Sequence, residues 1–157
     1  FTLLYNTSEN HKKIAVAIAS MWKKNLGVDV VLENQEWKTY LESSKQGDFD
    51  VRRAGWCADY NEASTFLAIA VSDNGSNDQK YNSAVYDKGM NDAVNVAKTE
   101  QERNKYYEIA ETQLANDMPI APIYQYVKSR LVSSHVGGYP EKNPQDNVYS
   151  KDLYLTK

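Results

Sequence analysis

Short apolar runs alternate with amphipathic segments over the first 56 residues, and this alternation constrains the fold most strongly. Apolar and β-branched residues predict three strands, at residues 1–6, 28–32 and 49–56. Two intervening segments, 8–26 and 37–46, predict helices, and a glycine follows each of them. Because parallel strands need such helical crossovers, this order predicts an α/β fold with a parallel or mixed sheet and flanking helices.

The rest of the chain is predicted to be helical at first and then to lose its apolar pattern. We expect a short helix over 62–71, a polar loop over 72–82, helices over 83–98 and 99–116, and a strand over 120–127. Thr99 and Glu102 fit a capping box at the start of the last helix. After about Val132 the sequence is polar and rich in turn residues, so this tail has little core of its own.

Length and charge exclude several classes of protein. A chain of 157 residues is enough for one domain or one lobe of a larger protein. Its formal net charge of -3 disfavours a nucleic-acid partner, and no apolar run approaches the roughly 20 residues of a membrane span. The chain opens directly in strand-like sequence at Phe1 without an initiator Met, so we expect a piece of a longer protein in which any targeting sequence would precede Phe1.

The segment from Asp50 to Glu62 is the densest cluster of functional residue types. Strand alternation places Arg53, Gly55 and Cys57 on one side and Arg52, Ala54 and Trp56 on the other. Asp59 follows the carboxyl end of the strand, the edge at which α/β sheets usually bind ligands. Arg53 and Asp59 would lie at most about 20 Å apart in extended chain, which matches the span of a short peptide between its charged ends.

Simpler readings of these residues remain open at this point. Arg53 and Asp59 could form a structural ion pair, Gly55 a bulge, and Trp56 part of a core. Cys57 is the single cysteine, so it is a buried filler, a reactive thiol or half of a bridge whose partner lies outside this chain. A thiol hydrolase would need His11 or His135 as its base, with Asp59 to orient that base, yet no catalytic signature surrounds them.

Other chemistries find no support in the sequence. One cysteine and two histidines show no metal-ligand spacing, and no carboxylate pattern matches a calcium loop. No glycine-rich phosphate motif is present either. We therefore expect neither a metal nor another cofactor.

Three segments resemble a known family. They are Asn34-Gln-Glu-Trp37-Lys, the run from Phe49 to Glu62 that contains Arg-Ala-Gly-Trp-Cys-Ala-Asp-Tyr, and Leu131-Val132 followed by Val136-Gly-Gly-Tyr139. Together they resemble the C-terminal part of periplasmic oligopeptide-binding proteins, the solute receptors of bacterial peptide ABC importers. The resemblance covers essentially the whole chain. It implies a bilobal clamp, with residues 1–127 in the second lobe and residues 128–157 returning toward a first lobe that lies outside this chain.

The resemblance also implies roles for individual residues. Asp59 resembles the carboxylate that takes the peptide α-ammonium, and Arg53 and His11 resemble cations that meet its carboxylate at different peptide lengths. Gly55, Trp56 and Cys57 resemble the strand that pairs with the peptide main chain, whereas Trp37 and Tyr126 resemble aromatic walls of side-chain pockets. Cys57 also resembles half of a disulfide whose other half precedes Phe1. Family members often carry an arginine where this chain has Ser44 and Lys45, which affects how it would meet longer or acidic peptides.

The implied function is peptide import rather than catalysis. A receptor for many sequences is expected to bind the main chain and the two charged ends, for peptides of about two to five residues. Its expected partners are the membrane permease of the importer and the first lobe, in the periplasm or cell envelope. The alternatives are a receptor of the same family for a cell-wall murein peptide or a signalling peptide and, from another class, the thiol hydrolase at Cys57.

Overall fold

A parallel three-stranded sheet forms the first unit of the fold. The computed structural model describes residues 1–143 and 146–157. Its strands are β1 (Thr2–Asn6), β2 (Val31–Gln35) and β3 (Val51–Arg52), in the order β2-β1-β3. Both pairings with the central strand β1 are parallel, so the α/β class is confirmed, and the sheet contains no antiparallel pair among these strands.

Two helices connect these strands and cover the sheet. They are α1 (Glu9–Leu26) and α2 (Trp37–Gln46), and both end at the predicted glycines. Gly27 and Gly47 adopt left-handed conformations, with φ of 70° and 77°, that close the helices through bonds to their last carbonyls. Leu3, Tyr5 and Ala15 pack between sheet and helix as the core of this sheet unit.

A second unit consists of helices alone. It contains α3 (Ser64–Leu67), a single 3₁₀ turn over Ala68–Ala70, α4 (Ala84–Asn95) and α5 (Glu100–Asp117). The Thr99 hydroxyl caps α5 by accepting from the Glu102 N–H at 3.2 Å, and the Glu102 carboxylate accepts from the Lys98 N–H, so the predicted cap is present with a shifted partner.

Close contact between α4 and α5 organises the core of the helical unit. A Cβ at Gly89 would lie 3.1 Å from the Tyr106 carbonyl and 3.2 Å from the Ala110 Cβ, so a side chain there would require the two helices to move apart by a few tenths of an ångström. The core of this helical unit contains Leu67, Ala70, Tyr86, Met90, Ala93, Tyr107 and Ala110.

The predicted limits of the second strand are wrong, and the strand predicted over 120–127 does not exist. β2 begins at Val31, three residues later than predicted, because the cap of α1 holds the Val28 N–H against the Trp22 carbonyl. Pairing begins only where the Val31 N–H reaches the Phe1 carbonyl at 3.0 Å. The predicted strand over 120–127 is absent, because no described strand lies beside it and residues 121–127 are all exposed.

The tail forms a small element of its own. β4 (Val136–Gly137) pairs antiparallel with β5 (Tyr154–Leu155), and a 3₁₀ turn at Ser150–Asp152 precedes β5. Most of the described residues after 127 are exposed, as expected for a segment with little core. Across the described part of the chain, no helix combines the length and the apolar character that crossing a bilayer requires.

Candidate functional site

The chain leaves the sheet just before its most distinctive sequence. β3 pairs with β1 at Val51 and Arg52 only, and the Arg53 N–H then donates to the Leu4 carbonyl at 2.8 Å. The predicted strand over 49–56 is therefore wrong beyond Arg53, because the rest of β1 runs beside β2 alone. Among the described residues, none forms a backbone hydrogen bond with the backbone of 54–57, and these four residues are exposed. Their amides and carbonyls form an open edge.

Arg53, Gly55 and Tyr126 come together on one side of this open edge. The Arg53 guanidinium carbon lies 5.8 Å from the centre of the Tyr126 ring. A Cβ at Gly55 would lie 3.3 Å from both Cε2 and the hydroxyl of Tyr126, so the absence of a side chain allows the ring to approach. The sequence alternation placed Arg53 and Gly55 on one face, and this contact confirms it.

His11 belongs to the same side of the site. It is half-buried at the start of α1, and its Nδ1 lies 2.9 Å from the Asn6 Oδ1. Burial and then the positive charge of Arg53 lower the pKa of His11, and the contact with Asn6 only partly offsets them. His11 and Tyr126 also line an open groove of about 560 Å³, together with Ser8, Asn10, Lys13, Ile14, Tyr124, Gln125 and Val127. The Arg53 charge and the imidazole of His11 together suit a carboxylate.

Tyr40 secures the strand carrying Arg53. Its hydroxyl donates to the Arg53 carbonyl at 2.8 Å and accepts from the Arg52 Nη1 at 3.3 Å. Arg52 also forms an ion pair with Asp78 at 3.1 Å. Trp37, which is 54% exposed, stacks on Tyr40 with ring centres 5.6 Å apart. Tyr40 was not predicted as a site residue, although its position three residues after Trp37 on one helix face indicates their contact.

A hydrogen bond connects Asp59 to the helical unit. Its backbone N–H donates to the Thr65 Oγ1 at 2.9 Å, and Thr65 is buried in α3. Asp59 itself is exposed. The sequence analysis also missed Thr65, because no local spacing rule connects residues six positions apart outside a helix.

Trp56 and Cys57 lie on the open edge itself. Trp56 is 38% exposed, so the alternative that it fills a core is wrong. Cys57 is an exposed free thiol, so the alternative of a buried filler is wrong too. Within residues 1–143 and 146–157, no hydrogen bond links Cys57 to a histidine, and no group of three or more His, Cys, Asp or Glu side chains is placed to hold a metal.

Comparison with known proteins places this geometry in a family. Residues 1–78 match the family model described as bacterial extracellular solute-binding proteins, family 5 Middle. The periplasmic oligopeptide-binding protein OppA of Salmonella typhimurium is 55% identical over 157 residues, which are 100% of this chain and 29% of that protein. The periplasmic murein peptide-binding protein MppA of Escherichia coli is 54% identical over 156 residues, or 99% of this chain and 29% of that protein.

Solved structures agree with these sequence matches. Haemophilus influenzae OppA in complex with the peptide RPPGFSPFR superposes with a TM-score of 0.89 at 50% identity, over 100% of this chain and 31% of that chain. The chain thus spans about 29% of the length of the curated relatives it matches. Residues 1–78 therefore belong to the family 5 bacterial extracellular solute-binding proteins, and the whole chain is similar to one part of these oligopeptide-binding relatives.

Proposed function

We propose that this chain is the part of a periplasmic peptide receptor that pairs with the peptide main chain and holds both peptide ends. The open edge over residues 54–57 is the observation that carries this proposal, because its backbone groups lie between Arg53 and Asp59 and no strand of the described residues pairs with them. An extended peptide can add there as a strand, and main-chain bonds of this kind are available to any peptide sequence.

Each end of the open edge offers the charge that a peptide terminus needs. Asp59 would bind the α-ammonium, whereas Arg53 and His11 would bind the carboxylate at different peptide lengths. Gly55, Trp56 and Cys57 would pair with the main chain. Tyr126, which is 52% exposed, and Trp37 present aromatic surface for side chains of varied shape. The geometry does not require a nucleophile or a metal, so the proposed function is binding and not catalysis.

The wider assembly follows from the relatives. OppA and MppA are named as periplasmic peptide-binding proteins, and we assign the same compartment and an ABC importer permease as partner to the protein that contains this chain. Residues 1–127 would form the second lobe, and residues 128–157 would return toward the first. Cys57, being exposed, would form a disulfide with a cysteine outside this chain. Mass spectrometry of the non-reduced full-length protein tests this bond, and a free Cys57 thiol there would disprove it.

Isothermal titration of the full-length protein tests the proposed function. Trilysine, its N-acetyl form and its C-terminal amide are compared in the wild type, Asp59→Ala and Asp48→Ala. Loss of a charged hydrogen bond of about 1.5–3 kcal/mol predicts a roughly 10- to 100-fold weaker affinity for Asp59→Ala with free trilysine. Asp48 is exposed as well and serves as the matched control. Equal affinity for all three ligands in the wild type would overturn the proposal.

A receptor for murein peptides is the second candidate, because MppA is nearly as similar to the chain as OppA. A murein-derived tripeptide joins the panel for that reason. The peptide RPPGFSPFR joins it as well, because it is the one bound to the Haemophilus relative and is longer than the range expected here. Binding of the murein peptide at least tenfold tighter than trilysine would favour the second candidate.

A further inference from the structure

The loop that carries Asp59 is attached to the helical unit at several points. Glu62 accepts hydrogen bonds from the Ser64 N–H at 2.7 Å and from the Ser64 hydroxyl. Arg103 on α5 lies 3.5 Å from the Glu62 Oε1 as an ion pair. Burial opposes ionisation of Glu62, but the bonds from Ser64 and Tyr107 and the Arg103 charge together hold its pKa below the usual value. The turn after Asp59 is thereby fixed to α5.

Helix α3 is fixed to α4 at its other end. The buried hydroxyl of Tyr86 donates to the Leu67 carbonyl at 2.6 Å, and Leu67 itself packs in the helical core. Thr65 lies between these two attachments, with 3% of its surface exposed. Its own N–H donates to the Glu62 carbonyl at 3.2 Å. The Thr65 hydroxyl therefore has a fixed position.

We propose that Thr65 is the positioning residue of the peptide-ammonium site and aims Asp59 through the hydrogen bond to its backbone N–H. The inference rests on the proposed function and adds a residue that would never touch the peptide. The bond of 2.9 Å joins a buried acceptor to an exposed loop, so it transmits the rigidity of the helical unit to Asp59. A recognition group held in this way loses little freedom when it binds a ligand.

The two ends of the peptide would then depend on separate supports. Arg53 is held by the Leu4 carbonyl and by Tyr40, both in the sheet unit. Asp59 is held by Thr65 in the helical unit. A change at Thr65 is consequently expected to affect recognition of the ammonium and to leave recognition of the carboxylate intact.

Two affinity ratios in the full-length protein test this separation. The ratio of free to N-acetylated trilysine reports the ammonium end, and the ratio of free to C-amidated trilysine reports the carboxylate end. We expect Thr65→Val to reduce the first ratio at least fivefold and to change the second less than twofold. Thr65→Ser keeps the hydroxyl and is expected to retain both ratios. Thr112→Val makes the same substitution at an exposed position of α5 and is the matched control.

Several outcomes would overturn the inference. An unchanged first ratio in Thr65→Val, or an equal loss of both ratios, would show that Thr65 has no specific role at Asp59. If Thr65→Val does not fold, Thr65→Ser and Thr65→Ala make the same comparison with smaller side chains, and equal first ratios in that pair would also overturn it. Absence of any ammonium preference in the wild type would instead remove the proposed function, and this inference with it.

Discussion

The sheet unit and the helical unit stabilise themselves differently, and the candidate site lies where the chain passes from one to the other. The sheet unit buries a small core around Leu3, Tyr5 and Ala15 and relies on strand pairing. The helical unit packs six other buried residues around Tyr86, and its described residues form helices only. The open edge joins them, with Arg53 on the sheet side and Asp59 on the helical side. The proposed site would therefore have a separate support for each of its two charged ends.

Truncation of Tyr86 is expected to cause the largest difference in local stability between the two units. Removing its buried ring and its bond to Leu67 predicts a loss of about 3–5 kcal/mol of local stability. Hydrogen exchange of the full-length protein with Tyr86→Ala is expected to accelerate in residues 64–70 and 84–110 and to remain near wild type in residues 2–6. Val85→Ala, at the exposed neighbouring position, is the control. Equal acceleration of exchange in both units would show that the two units do not open independently.

Leu3→Ala tests the sheet unit in the way that Tyr86→Ala tests the helical unit. Leu3 is 2% exposed in the central strand, so its truncation predicts a loss of about 2–5 kcal/mol. Exchange is expected to accelerate in β1 and β2, while α4 and α5 stay protected. Leu26→Ala removes an exposed leucine of the same unit and should have little effect. Faster exchange in α5 than in β1 would contradict the division.

Tyr40→Phe is expected to weaken recognition of the peptide carboxylate and to leave recognition of the peptide ammonium unchanged. It removes the hydrogen bond to the Arg53 carbonyl, which contributes about 0.5–1.5 kcal/mol. In titrations of the full-length protein, the preference for free over C-amidated trilysine should fall, while the preference for free over N-acetylated trilysine stays at the wild-type value. Loss of the N-terminal preference instead would show that the two ends share one support.

The smallest predicted effect is the titration of His11. Its pKa in the folded protein lies below the value of about 6.5 for an exposed histidine, so the unfolded chain binds this proton more readily. Stability should therefore fall as pH decreases below about 6.5, and His11→Gln should remove that part of the loss. NMR titration should also show the His11 pKa rising partway in Arg53→Gln, because burial remains. An unchanged His11 pKa in this variant would show that the Arg53 charge does not act on His11.

Local sequence signals predicted the helices well because their caps are local. Gly27, Gly47 and Thr99 mark ends of α1, α2 and α5 where the structure has them. Strand limits were predicted less well, because a strand exists only beside a partner from elsewhere in the chain. β3 stops after Arg52 although β1 continues to Asn6, and 120–127 forms no strand because no described strand lies beside it.

In the candidate site, too, local contacts were predicted from the sequence and distant contacts were not. Alternation along the strand predicted that Arg53 and Gly55 share a face. Their contact with Tyr126 joins residues more than seventy positions apart, and only the family resemblance grouped them. The hydroxyls of Thr65 and Tyr40 bind backbone atoms of Asp59 and Arg53. Contacts to the backbone leave no pattern in residue types.

A crystal structure of the full-length protein with bound trilysine would show whether the peptide lies along the open edge. We expect an extended peptide whose main chain forms hydrogen bonds with Gly55 and Cys57. We also expect the peptide ammonium within about 3 Å of the Asp59 carboxylate, with the Thr65 bond to the Asp59 N–H intact. A peptide bound away from residues 54–57, or one whose ammonium points to solvent, would contradict this expectation.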